Sequence, residues 1–239
     1  MQSADVRKRI GDIGIVPSAR VRAPDHARFA ADSLYAAGIP VLEIPLTLPE
    51  APEVIGELAN RYPDLIVGAG TVLDEREAQR SIDAGARFIT SPGFIPEVVA
   101  CAKQADVVVF PGALTPSEII AAWKAGADFV KIFPAAAEGG PGYVRTLKVP
   151  LPQIPLVVTG GVNQLTAFDY ILAGAEAIGV GSELLPRDAL QNRQEDRIHE
   201  LARRFLVMVK EARAQRDGRE CPPKTKLGKM LPSLRSERP

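Results

Sequence analysis

Four alanine–glycine pairs, at similar intervals along this chain, each come shortly before an apolar run. The four glycines are Gly38, Gly85, Gly126 and Gly174, at intervals of 47, 41 and 48 residues. Glycine after a helix supplies the left-handed cap that other residues resist, so each pair marks a helix end followed by a strand. Each interval holds one further strand-like run, and residues 13–17 form another before the first repeat.

The repeat therefore predicts eight short strands separated by helical segments. Strand–helix alternation implies parallel pairing with crossover helices. Eight such units in about 200 residues match an α/β fold of the (β/α)8 TIM-barrel type. An open doubly wound sheet is the alternative, but it would not require a four-fold repeat of two strands each. We therefore favour the barrel.

The domain organisation follows from where the apolar period ends. We expect a single barrel domain over residues 1–214, with a last helix over residues 188–214. Residues 215–239 are rich in Lys, Arg and Pro and lack an apolar period, so we expect a basic, flexible C-terminal tail. A tail that binds phosphate or a partner is the alternative interpretation.

Composition excludes several classes of protein. The 239 residues carry 29 Lys and Arg against 29 Asp and Glu, so no net charge favours nucleic acid or a membrane surface. No stretch approaches the roughly 20 apolar residues of a membrane span, and residues 1–14 lack the apolar core of a signal peptide. Two distant cysteines and two histidines give neither a disulfide framework nor a metal-ligand spacing. We expect a cytoplasmic protein without metal or cofactor.

A lysine interrupts the apolar run at residues 128–134. Side chains alternate along a strand, so Phe129, Lys131 and Phe133 share one face. An amine held between aromatics loses basicity, because desolvation disfavours the ammonium, and a neutral amine forms Schiff bases with ketones. On this run alone, an edge lysine that reaches solvent or pairs with a carboxylate explains the pattern at least as well.

Further polar residues follow the other predicted strands, where barrels place their active groups. Glu43 shares a strand face with Val41 and Pro45, and an inward face would bring it near Lys131. A carboxylate beside an amine can move the protons that Schiff-base formation, bond cleavage and hydrolysis need. A buried ion pair without chemistry is the alternative. The remaining strand ends carry Arg20, Thr71, Ser91-Pro92, Pro111-Gly112 and Thr159.

Two glycine-containing turns indicate a phosphate site. Gly160 and Gly161 follow the seventh predicted strand, and Gly181 and Ser182 follow the eighth. Loops after these strands commonly bind phosphate through backbone N–H groups, and glycine lets the backbone approach the oxygens. Two ordinary tight turns are the alternative for either pair alone, but both pairs in the expected place favour a phosphate site.

The segment Gly68-Ala-Gly-Thr71 is a third glycine-rich turn. It fits neither the dinucleotide fingerprint nor the P-loop spacing. We interpret it as a close-approach turn that presents the Thr71 hydroxyl to a substrate carboxylate.

Five segments together resemble the 2-keto-3-deoxy-6-phosphogluconate (KDPG) / 4-hydroxy-2-oxoglutarate (KHG) aldolase family. The resemblance runs in order from about residue 13 to residue 214. It implies a metal-free class I barrel aldolase, usually a homotrimer, that acts on a small-molecule 2-keto acid. The segments are Val41-Leu-Glu-Ile-Pro-Leu, Gly68-Ala-Gly-Thr-Val-Leu, Ser91-Pro-Gly, Phe129-Val-Lys-Ile-Phe-Pro-Ala and Thr159-Gly-Gly-Val.

The resemblance also implies residue roles. Lys131 corresponds to the Schiff-base lysine and Glu43 to the general acid/base. Arg20 matches an arginine that faces the substrate, and Gly161 and Ser182 match the residues that would hold the phosphate. Gly160 and Gly181 adjoin them in the same turns and are counted with the phosphate site. The pyruvate end would be lined by Thr71, Pro92, Phe133 and Thr159.

One position departs from the family pattern. Many phosphogluconate-type members carry an arginine shortly after the glutamate, where it grips the substrate carboxylate; here Thr47 holds that position. The segments Glu-Ile-Pro-Leu and Lys-Ile-Phe-Pro, followed by Gly139-Gly-Pro-Gly-Tyr, look more like the phosphogalactonate (KDPGal) branch, which also lacks this arginine. Loss of a bidentate hydrogen bond to the carboxylate changes the affinity and the orientation of the substrate. We therefore place Thr47 among the substrate-binding residues.

The expected reaction is cleavage of KDPG or KDPGal to pyruvate and glyceraldehyde 3-phosphate. A second hypothesis retains the Lys131 chemistry but assumes a substrate without phosphate. KHG would then be cleaved to pyruvate and glyoxylate. A third is a non-catalytic protein that binds a sugar phosphate. Lys131 and Glu43 argue against the third, since simple binding has no need of a buried amine.

Overall fold

The structure, a computed structural model, describes residues 1–218 of the chain. Nine strand segments and ten helices alternate along these residues. The strands are β1 (Ile15–Pro17), β2 (Val41–Pro45), β3 (Ile66–Gly70), β4 (Phe88–Thr90), β5 (Val108–Phe110), β6 (Gly112–Ala113), β7 (Val130–Ile132), β8 (Leu156–Val158) and β9 (Ala177–Val180). The helices are α1 (Ser3–Ile13), α2 (Pro24–Ala36), α3 (Ala51–Arg61), α4 (Glu75–Asp83), α5 (Pro96–Gln104), α6 (Pro116–Lys124), α7 (Gly140–Lys148), α8 (Ala167–Leu172), α9 (Arg187–Gln191) and α10 (Glu195–Arg216).

The strands form one ring. Parallel pairing runs β1–β9–β8–β7–β6 and β2–β3–β4–β5. β5 and β6 are two parts of one strand interrupted at Pro111, whose carbonyl accepts from the Lys131 N–H at 2.9 Å. A parallel bridge between Ser18 and Glu43 joins β1 to β2. The eight predicted strands are therefore all present, and the prediction of a (β/α)8 barrel is confirmed.

Local sequence explains the helix ends. Gly38, Gly85, Gly126 and Gly174 have φ values of 82°, 108°, 96° and 105°, which glycine adopts without a Cβ penalty. The alanine–glycine pairs therefore end helices, as the repeat predicts. At its N-terminus, helix α6 begins with a capping box between Thr115 and Glu118.

The core has two layers, because successive residues of each strand face opposite sides of the ring. Phe129 belongs to the cluster inside the barrel, whereas Val130 and Ile132 pack between the strands and the helices. Val6 and Ile10 of α1 join the inner cluster and are 1% and 0% exposed. Helix α1 thus packs against the interior from the N-terminal ends of the strands, and the polar residues lie at the C-terminal ends.

The prediction of one continuous last helix is wrong. Residues 188–214 hold parts of α9 and α10, which are separated by a turn with Arg193 at φ 49°. The N–H groups of Arg193 and Gln194 donate to the carbonyls of Leu190 and Ala189, the pattern of a Schellman cap that ends α9.

Helix α10 continues through Arg216, past the predicted domain boundary at residue 214. Most of the predicted tail, residues 219–239, lies outside the described residues. Within residues 1–218, none of the helices combines the length and the apolar character that crossing a bilayer requires.

Candidate active site

Three polar side chains meet inside the barrel. Lys131 Nζ lies 3.5 Å from Glu43 Oε1 and donates to Thr90 Oγ1 at 3.1 Å. Thr90 Oγ1 in turn donates to Glu43 Oε1 at 2.6 Å. The three residues are 9%, 8% and 2% exposed in the order Lys131, Glu43 and Thr90. Burial of ionic groups is costly without a partner, and here each charged group has one.

The strands and a neighbouring glycine fix the carboxylate. Glu43 is the central residue of β2, which pairs with β3 along its length. A Cβ on Gly70, at the end of β3, would overlap the Glu43 carboxylate. The missing side chain therefore creates the space in which the carboxylate sits.

The electrostatics of the pair favour an ionised carboxylate. Burial by itself would raise the pKa of Glu43. The Lys131 charge, hydrogen bonds from Thr90 and Ser18, and the Arg20 charge outweigh burial and lower this pKa below its ordinary value. Glu43 is therefore held as a carboxylate, which is the form that can accept a proton.

Aromatic rings border the amine. The Lys131 Nζ lies 5.9 Å from the centroid of the half-buried Phe133 ring. Phe110 lines the small inner cavity that also contains Lys131 and Glu43. Phe129, which shares the strand face, points into the apolar cluster beneath. The predicted alternation around Lys131 is therefore confirmed, with the amine at the boundary between apolar core and cavity.

Two adjoining cavities open from this point. The inner one is lined by Glu43, Lys131 and Thr159, and the outer one, of about 200 Å³, by Gly160, Gly161 and Ser182. Both include Arg20, Gly179 and Gly181 in their walls. The structure therefore brings the predicted catalytic pair and the predicted phosphate turns together on one continuous path, with the exposed Arg20 between them.

The outer cavity lies along the predicted phosphate turns. Gly160 and Gly161 have φ values of 89° and 84°, and a Cβ on Gly161 would overlap Ala136. In residues 1–218, the N–H groups of Gly161, Val162 and Ser182 donate to no protein acceptor. Unpaired amides along glycine-containing turns favour phosphate oxygens.

The other predicted residues lie at the same end of the barrel but outside the two cavity walls. Thr71 is half-buried directly after β3, with a φ of 59° that is strained for a β-branched residue. Pro92 is half-buried in the turn after β4, and Thr47 is exposed in the turn after β2. Thr47, Thr71, Pro92 and Phe133 therefore follow the C-terminal ends of β2, β3, β4 and β7, whereas Thr159 lines the inner cavity.

Sequence reasoning missed Thr90 and Ser18. Thr90 shares the inner face of β4 with Phe88, and Ser18 follows the inward Val16 by two positions. Strand alternation applied to these two strands would have found both residues.

Comparison with known proteins gives one consistent result. The family described as "KDPG and KHG aldolase" matches residues 6–201. The "KHG/KDPG aldolase" of Escherichia coli (strain K12) is 36% identical over 197 residues, which are 82% of this chain and 92% of the relative. The "Probable 2-dehydro-3-deoxy-6-phosphogalactonate aldolase" of Rhizobium meliloti (strain 1021) is 34% identical over 163 residues, 67% of this chain and 76% of the relative.

A solved structure agrees with these sequences. It is a KDPG aldolase from Legionella pneumophila "with pyruvate captured at low pH as a covalent carbinolamine intermediate". Its TM-score to this chain is 0.77 at 31% identity, and the alignment covers 84% of this chain and 97% of the other.

Proposed function

The chain belongs to the KDPG and KHG aldolase family, and from this premise we propose that it is a class I aldolase that releases pyruvate from a 2-keto-3-deoxy-6-phospho sugar acid. The observation that carries the proposal is the 3.5 Å approach of Lys131 Nζ to Glu43 Oε1. The pair lies next to a cavity whose Gly161, Val162 and Ser182 amides donate to no acceptor within residues 1–218. An amine for the ketone and amides for the phosphate would thus lie on one path.

The reaction begins when the Lys131 ammonium gives one proton to Glu43. The neutral amine attacks the C2 ketone, and a second proton moves from nitrogen to the new alkoxide. Glu43 then returns its proton to the C2 hydroxyl, which leaves as water, and an iminium remains on Lys131. Proton transfer by one positioned carboxylate therefore serves both addition and dehydration.

Cleavage uses the iminium as an electron sink. Glu43 accepts the C4 hydroxyl proton, the C3–C4 bonding pair moves towards the iminium nitrogen, and an aldehyde leaves. Glu43 returns the proton to C3 of the enamine, and water releases pyruvate by the reverse of the first steps. With a 6-phosphate substrate, the aldehyde is glyceraldehyde 3-phosphate.

The cavity walls suggest how the substrate lies. The phosphate would contact the amides of Gly161 and Ser182 and the Ser182 hydroxyl, within the turns that also contain Gly160 and Gly181. Arg20 borders both cavities and would attract either anionic end of the substrate. The pyruvate end would lie among Thr71, Pro92, Phe133 and Thr159, with Thr47 near its carboxylate.

Turnover with matched substrates tests the proposal. We expect kcat/KM for KDPG or KDPGal to exceed that for KHG, and comparing the first two identifies the preferred C4 configuration. Ser182→Ala should raise KM for the phosphorylated substrates and leave KHG turnover unchanged. Equal rates on all substrates, unaffected by Ser182→Ala, would favour the KHG aldolase instead. Binding of a sugar phosphate without turnover would favour the non-catalytic alternative.

We propose in addition that the protein is a homotrimer, as the family resemblance implies, and that it is cytoplasmic, as its composition and two distant cysteines indicate. Sedimentation equilibrium of the full chain tests the trimer, because it gives the mass independently of molecular shape. A monomer at the concentrations used for turnover would contradict it.

A further inference from the structure

The hydroxyl of Thr90 lies between the amine and the carboxylate. Its Oγ1 accepts from Lys131 Nζ at 3.1 Å and donates to Glu43 Oε1 at 2.6 Å. The direct Nζ–Oε1 distance is longer, 3.5 Å, and among the described residues Lys131 donates no hydrogen bond to Glu43 itself. The hydrogen-bonded path between the two groups therefore passes through Thr90.

The backbone holds this hydroxyl in place. Thr90 ends β4 and pairs in register with Phe110 of β5. Its carbonyl accepts from the Val72 N–H at 3.1 Å, and the residue is 2% exposed. A buried β-branched residue has few rotamers, so the hydroxyl has a defined position. A hydroxyl both donates and accepts, which a proton relay requires.

We propose that Thr90 relays the proton between Lys131 and Glu43, a role that deepens the proposed aldolase function and rests on it. As Lys131 Nζ gives a proton to Thr90 Oγ1, the hydroxyl proton passes to Glu43 Oε1. Thr90 ends neutral, Lys131 becomes a neutral amine, and Glu43 becomes a carboxylic acid. The return of the proton to the leaving hydroxyl of the carbinolamine restores the carboxylate.

Thr90 also contributes to the ionisation of Glu43, at the end of the relay. Its hydrogen bond is one of the interactions that lower the pKa of Glu43. Loss of this donor would raise the pKa of the carboxyl and move the acid limb of the pH–rate profile to higher pH. A side chain that only fills space would leave this limb in place.

Two substitutions separate the hydroxyl from the shape of the side chain. Thr90→Val keeps the branched shape and removes the hydroxyl, whereas Thr90→Ser keeps the hydroxyl and loses the methyl group. The measurement is the rate at which pyruvate forms a borohydride-reducible adduct on Lys131, followed by rapid quench at several pH values. We expect Thr90→Val to slow adduct formation at least about 10-fold, within the range of a lost proton-transfer group. Thr90→Ser should remain within about 3-fold of the unsubstituted chain.

The final extent of labelling is the control for folding. Thr90→Val protein that reaches full labelling slowly, with a raised acid limb, supports the relay. An unchanged rate and pH profile in Thr90→Val would overturn it, and so would equal slowing by Ser and Val. Absence of an adduct in the unsubstituted chain would instead contradict the proposed function, so the two failures are distinguishable.

Discussion

Lys131 and Glu43 approach to 3.5 Å across the barrel, from strands on opposite sides of the ring. Glu43 is on the second barrel strand and Lys131 on the sixth, and Thr90 on the fourth contacts both. Side chains from alternate barrel strands share a layer. The eighth strand places Gly179 at the cavity wall, where a Cβ would overlap the Thr159 side chain. The missing Cβ therefore leaves room for Thr159 beside the cavity that Lys131 lines.

Replacing the amine tests its role as nucleophile. Lys131→Met removes the amine, so we expect kcat/KM to fall by roughly 10³-fold or more, as in other enzymes that lose their nucleophile. Lys124→Met, on the exposed side of α6, is the matched control and should leave kcat/KM unchanged. Steady-state turnover with the preferred phosphorylated substrate measures both. Residual activity of the Lys131 variant within 10-fold of the unsubstituted chain would contradict a Schiff base on this residue.

The lowered pKa of Glu43 makes stability depend on pH. A carboxyl whose pKa is lower in the folded than in the unfolded protein stabilises the fold at every pH above its unfolded pKa. This contribution is lost as the pH falls through the folded pKa. The ordinary value is 4.5, so the loss should occur below that pH. Urea unfolding at pH 7 and at lower pH should show a steeper decline for the unsubstituted chain than for Glu43→Gln. Parallel declines would contradict the pKa direction.

Gly70 offers a steric test of how the carboxylate is placed. Gly70→Ala should push the Glu43 carboxylate away from Lys131, because the new Cβ would overlap it. A displacement of about 1 Å can cost roughly 10²-fold in kcat. Gly93→Ala is the control, since among residues 1–218 no atom beyond its chain neighbours lies within 4 Å of its Cβ position. Equal kcat values for the two variants would show that the carboxylate position matters less than the geometry indicates.

We expect a substitution in helix α1 to lower the stability of the fold and to leave catalysis unchanged. Ile10 is 0% exposed against the inner cluster at the end of the barrel away from the active site. Ile10→Ala should lower the free energy of unfolding by about 2–5 kcal/mol through lost burial and a cavity. Well below the melting temperature, kcat and KM should not change. A large change in KM without a loss of stability would place α1 in the catalytic machinery instead.

Much of this architecture could be predicted because its signals are local. The alanine–glycine pairs mark helix ends through backbone sterics alone, and alternation around Lys131 and Glu43 gives their inward orientation. Helix α1 escaped prediction because its buried stripe is narrow, with Val6 and Ile10 within a charged segment. The break before α10 depends on Arg193 in a left-handed conformation, for which the sequence carries no glycine signal.

The contacts within the site are harder to predict than the identities of the residues that make them. Strand alternation orients Thr90 inward, but only the closure of the ring brings its hydroxyl between Lys131 and Glu43. The strained φ of Thr71 likewise depends on tertiary packing, since isolated sterics disfavour it.

The most direct test of the account is incubation of the full chain with pyruvate and borohydride, followed by intact mass and peptide mapping. The account predicts one reduced pyruvyl adduct per chain, located on Lys131 and absent from Lys131→Met. Folded protein that gains no adduct, or gains it on another lysine, would contradict the Schiff-base role of Lys131.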